Sequence, residues 1–174
     1  MTIICVIAIT VILTVCLKLY GGLGWGGYAI FGILLFYVIA VLPLWFFEPK
    51  AEIFLPVDHA AILLYLLYVC LATGGHWFLS FALPVVIANC LLLTAFICLL
   101  KYVHGGRIFI LGGFLILLGS FSMLVEFFEH ISFGAKMFQW SLYSFSGFAA
   151  AGLCLLIAGS IPGLRQIIRK KFFF

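Results

Sequence analysis

Glu126, Glu129 and His130, in the stretch EFFEH, place two carboxylates and an imidazole at i, i+3 and i+4. On a helix that turns ~100° per residue they share one face within roughly a 100° arc. Imidazole and carboxylate together suit zinc or a similar divalent ion, and Glu126 with His130 at i, i+4 has workable ligand spacing. His76, from another link on the same side, completes a four-residue candidate metal or proton site. The competing reading is plainer and is preferred: EFFEH is the wet end of a membrane helix, its acids solvated and Phe127 and Phe128 turned to lipid.

The other chemistry-bearing residues are sparse. Asp58-His59 follows Pro56-Val57 and opens an apolar run, so Asp58 is expected to cap orphan backbone N–H groups at a helix start. His104 stands beside Gly105-Gly106 and Arg107, but no GxxxxGK[ST] pattern supports a phosphate cradle there. The four histidines fall at helix ends or links, not within facing helices as diheme electron carriers require, and no cofactor is expected. Cys5, Cys16, Cys70, Cys90, Cys98 and Cys154 lie inside apolar runs without CxxC spacing and read as packing residues, not disulfides or ligands. Asn89 is the one amide near the middle of an apolar run, where interhelical hydrogen bonding is its expected role. With Thr94, Ser120, Ser122, Ser144 and Ser146 it makes up the only candidate polar lining of a pathway.

The elements that must position these residues are set by composition. The chain has 174 residues, of which 67% are hydrophobic and 8% charged, against about 45–50% and about 25% in soluble domains. Each crossing of a ~30 Å hydrocarbon layer takes ~20 apolar residues. Breaks at glycine pairs, prolines and charges then give six spans, near 2–20, 25–47, 57–73, 77–101, 107–128 and 137–160. Met1 to Leu17 lacks a basic n-region and an A-x-A-like site, so it is expected to be a retained span and not a cleaved signal. The expected fold is an all-α, single-domain, six-helix membrane bundle, with no room for a soluble catalytic domain.

With six spans, Lys50, Lys101, Arg107, Arg165, Arg169, Lys170 and Lys171 share one side and only Lys18 and Lys136 the other. The positive-inside rule puts both termini in the cytoplasm. Arg107 to Glu126 is 19 residues, or roughly 28 Å of helix, which places the acids at the outer interface, where a carboxylate is tolerated without a functional reason. The tail LRQIIRKKFFF alternates basic and apolar residues, and Arg165, Arg169, Lys170 and Lys171 are expected to hold anionic lipid headgroups. A membrane or cytoplasmic protein partner is the alternative for this tail; no nucleic-acid partner is expected.

Two features bear on function as a whole. Gly26-Gly27, Ile30-Phe31 and Phe46-Phe47-Glu48 in the first half are echoed by Gly105-Gly106, Ile108-Phe109 and Phe127-Phe128-Glu129 in the second. Three helices per half would make such a repeat inverted, as in many secondary transporters. In addition, TGGHWFLSFALPVVIANCLLL and WSLYSFSGFAAAGLCLLIAGSIPGLRQIIRKKFFF resemble uncharacterised bacterial multi-helix membrane domains of the Firmicutes type. The likeness rests on Trp77, Pro84, Trp140-Ser141-Leu142-Tyr143 and the basic-aromatic end, over about half the chain. It implies a bacterial inner-membrane setting and no catalytic residues; the zinc-ribbon or helix-turn-helix module frequent in such families is missing from this chain. The expected function is a non-enzymatic accessory or regulatory membrane component, with a small transporter or channel subunit as the alternative.

Overall fold

A computed structural model describes residues 2–21, 24–47, 50–103 and 106–161. The chain is an all-α, multi-pass membrane protein whose six helical stretches are long and apolar enough to cross a bilayer. Helix α1 spans Thr2–Tyr20, and α2 spans Gly26–Phe36, continuing through a π turn at Tyr37–Val41 into a 3-10 turn at Leu42–Trp45. Helix α3 covers Ala51–Thr73, a second π turn Phe78–Ala82 leads into α4, Leu83–Tyr102, and α5 (Arg107–Phe133) and α6 (Ser141–Ser160) complete the set.

Prolines account for the irregular turns. Pro43 and Pro84 each stand two residues after a π turn. A proline has no N–H for the carbonyl four residues back and its ring crowds that carbonyl, here Ile39 and Ser80, so the backbone widens locally. Pro56 behaves differently. The sequence reading ends the connection there and starts the third span at 57, yet α3 begins at Ala51 and runs through Pro56. As the sixth residue of α3, Pro56 leaves the Glu52 carbonyl without its N–H partner, yet the helix continues through it. Helices α3 and α5 stop at Gly74 (φ 65°) and Gly134 (φ 69°), left-handed positions that favour glycine. All four tryptophans mark span ends: Trp25 and Trp140 precede α2 and α6, Trp45 closes the 3-10 turn, and Trp77 precedes the second π turn.

The helices pack as two compact units, residues 1–86 and 87–174, dividing within α4. In the first, Gly26 lies against Cys16, which is 1% exposed, and Gly27 against the hydroxyl of Tyr68. The Tyr68 ring is fixed by stacking on Phe31 at 4.2 Å and meeting Tyr28 edge-on at 5.6 Å. In the second, α5 and α6 form an antiparallel hairpin whose backbones nearly touch. Gly112 meets Gly152 and Leu156, Gly119 meets Phe145 and Phe148, and Gly159 meets Ile108 and Phe109. Gly112 and Gly119 are seven residues apart, as are Gly152 and Gly159, the period that keeps small residues on one seam.

Candidate functional site

Helix α5 continues five residues past the span end expected at 128 and closes at Gly134, whose N–H donates to the His130 carbonyl at 2.9 Å. His130 Nδ1–H donates to the Ala135 carbonyl at 2.6 Å. The chain then turns back, with Phe138 at φ +62° and Trp140 at φ −118°, ψ −27°. A left-handed residue followed by right-handed ones turns successive N–H groups into a common concavity that receives an anion.

Glu126 fills that concavity from the neighbouring helix. Gln139 N–H donates to its Oε1 at 2.7 Å, Trp140 N–H to the same oxygen at 3.4 Å, and the Ser141 hydroxyl to its Oε2. Glu126 is 2% exposed and Ser141 1%. A helix start leaves backbone N–H groups without intrahelical acceptors and carries partial positive charge. Trp140, the residue before α6, offers no side-chain acceptor. A carboxylate borrowed from α5 does that work and ties the two ends of the hairpin together. The expectation of a solvated end for EFFEH is therefore corrected at Glu126: the acid lies inside protein, seven residues before the end of α5.

The metal reading fares no better on these contacts. Glu129 is half-buried and His130 exposed, and the i, i+4 pair is divided, Glu126 turned to α6 and His130 to its own loop. His76 is exposed in the link after α3, in the other unit. Among the described residues no three His, Cys, Asp or Glu side chains gather as a metal-holding group. Within this unit Glu126, Glu129 and His130 do not converge, because the strongest acceptor among them is consumed by donors at the start of α6.

Asp58 also departs from expectation. With α3 starting at Ala51, Asp58 lies in the second turn and Lys50 occupies the cap position. The acid in the first turn, where the helix dipole favours it, is Glu52. Asp58 Oδ1 is shielded from solvent without a hydrogen-bond partner, while the adjacent His59, 8% exposed, donates from Nδ1 to the Leu55 carbonyl at 2.8 Å.

The candidate pathway residues are mostly spent locally. Ser120 donates to Ile116 O at 3.1 Å, Ser122 to Gly119 O at 2.6 Å, and Ser146 to Tyr143 O at 2.9 Å. Thr94 pairs with Cys90 at 4.0 Å, and Asn89, half-buried on α4, is also engaged. Hydroxyls that bond back to their own helix are satisfied without a neighbour or a solute. Cys70, read as a packing residue, also donates from Sγ to the Gly75 carbonyl at 2.9 Å and so steadies the turn after α3. Arg165, Arg169, Lys170 and Lys171 lie outside the described residues, as does His104.

Reading residue types missed Ser141 and the 138–140 turn as Glu126's partners. The available signal was Ser141 itself, a serine directly ahead of an apolar run. Compared with protein-family models, with curated proteins and with solved structures, the chain finds no match, and its functional reading rests on geometry.

Proposed function

We propose that the chain is an accessory or regulatory component of the bacterial inner membrane that acts without catalysis, with both termini cytoplasmic. One observation carries the proposal: Glu126, the acid best placed for chemistry in EFFEH, is committed to holding α5 and α6 together. The hydroxyls of α5 and α6 that bond back to their own helices point the same way. Orientation rests on the seven-to-two bias of Lys and Arg between the sides of a six-span chain. The test is to reconstitute the purified full chain in liposomes and follow dissipation of imposed ion and pH gradients. Leak equal to that of empty vesicles is expected; saturable flux through the chain alone refutes the proposal.

A second reading, a small transporter or channel subunit built as a 3+3 inverted repeat, draws support from one fact. Asp58 keeps a shielded carboxylate oxygen without a hydrogen bond inside α3, the kind of intramembrane acid that marks ion and proton paths, whereas the units divide within α4 and not between the third and fourth helices. Of the echoed glycines, Gly26 and Gly27 are packed at a helix start, whereas among the described residues Gly106 meets only Val103, at 3.9 Å. If flux is seen, Asp58→Asn must abolish it for this reading to hold.

A further inference from the structure

The α4–α5 pair is built unlike the α5–α6 hairpin. Instead of backbone contact, the two helices meet through the rings of Phe96 and Phe114, stacked at 3.9 Å and 21°. Beside that stack is an apolar cavity of about 630 Å³, walled by Leu91, Ala95 and Leu99 on α4 and Phe109, Gly113 and Leu117 on α5. Gly113 contributes the opening: a Cβ added there meets nothing within 4 Å, whereas its neighbour Gly112 is packed tightly against α6.

Length and charge say what fits. Leu91 to Leu99, and Phe109 to Leu117, each span eight residues, about 12 Å of helix, close to the ~15 Å depth of one leaflet's half of the hydrocarbon layer. Lys101 and Arg107 stand just beyond Leu99 and Phe109, at the ends of α4 and α5 that face one membrane surface. With Ile97 and Leu100 they line a smaller cavity of about 370 Å³. No acidic residue occurs in sequence between Asp58 and Glu126, and the Lys101 ammonium lies 5.5 Å from the centroid of the Tyr102 ring. A cationic rim about half a turn beyond a leaflet-deep apolar cleft is complementary to a molecule with an anionic head and a hydrocarbon tail.

We infer that the α4–α5 pair binds an anionic glycerophospholipid, its phosphate between Lys101 and Arg107 and one acyl chain in the cleft beside Gly113. In the cytoplasmic-termini orientation this is an inner-leaflet lipid. The cation pair and the cleft belong to α4 and α5, and the inference is independent of whether the chain is an accessory subunit or a transporter.

Native mass spectrometry of the full chain, released from vesicles of equal parts phosphatidylcholine and phosphatidylglycerol, tests it. The wild type is expected to keep phosphatidylglycerol after phosphatidylcholine has dissociated. The K101Q/R107Q double variant should lose about 30-fold in phosphatidylglycerol retention, the effect of removing two cations at a membrane surface, while Lys18→Gln on α1 leaves it unchanged. Gly113→Leu fills the cleft and should lower retention with both cations in place. If that variant fails to fold, Ala95→Leu fills the cleft from the opposite wall. Equal retention of the two lipids, an unaffected double variant, or cleft-filling variants that retain lipid like the wild type would each overturn the inference. Displacement by soluble glycerol phosphate at concentrations comparable to the lipid would also overturn it, showing a phosphate site and not a lipid site.

Discussion

Two glycines on α6, five residues apart, should answer the same substitution with opposite signs. At Gly152 an added Cβ would lie 2.6 Å from the Gly112 carbonyl oxygen and 2.7 Å from Ile116 Cγ1. Carbon–oxygen contacts begin near 3.3 Å, so α5 and α6 must part by roughly 0.7 Å at their closest point. Overpacking of this kind costs about 1–3 kcal/mol. At Gly147 nothing lies within 4 Å, and Gly→Ala there adds only the helix-propensity gain of up to ~1 kcal/mol. Because Gly152→Ala receives the same propensity gain, the difference between the two variants isolates the steric effect, about 1–3 kcal/mol in favour of Gly147→Ala. Reversible unfolding of both proteins by increasing mole fraction of sodium dodecyl sulfate in mixed micelles measures that difference directly. Equal stability of the two variants would refute the reading that a backbone-to-backbone crossing at Gly112 and Gly152 holds the hairpin.

Further outcomes follow from other contacts. Glu126→Gln keeps one oxygen for the Gln139 and Trp140 N–H groups and offers an amide to Ser141, whereas Glu126→Ala strands all three donors. Thermal stability in detergent should therefore fall in the order wild type, Glu126→Gln, Glu126→Ala; a Glu126→Ala protein as stable as wild type would rule out the intramolecular cap. In the first unit, Gly27→Ala drives a methyl into Tyr68, which its stacking on Phe31 holds in place. The variant should be destabilised by about 1–3 kcal/mol, and Tyr68→Phe, which removes the clashing hydroxyl, should recover part of the loss in a double-mutant cycle. Additive effects of the two substitutions would contradict that packing. The vesicle-flux and lipid-retention experiments complete the set.

Six apolar runs, their approximate ends and the membrane setting were legible in the residues because hydropathy is a local property. The distance of Glu126 along its helix from Arg107 was legible for a similar reason: a helix converts residue count into distance. Pro56 was misleading because α3 starts five residues before it, at Ala51, and runs through it. The glycines show the same division. Their positions are plain in the sequence, but Gly112 and Gly113 are adjacent and face different surroundings, one packed against α6 and the other open.

Glu126 marks the boundary most sharply. Its type and spacing admitted a ligand, a proton carrier or a solvated end, since a carboxylate accepts from any donor brought near it. What brought donors near it was the backbone of 138–140, with Phe138 at φ +62° and the start of α6 beneath it. Two of those donors are main-chain N–H groups, which nearly every residue possesses, so only the third, the Ser141 hydroxyl, left a mark in the residue types. The sequence determined how far along its helix that acid would lie; only the tertiary structure decided that it would be sealed there as the cap of the next helix.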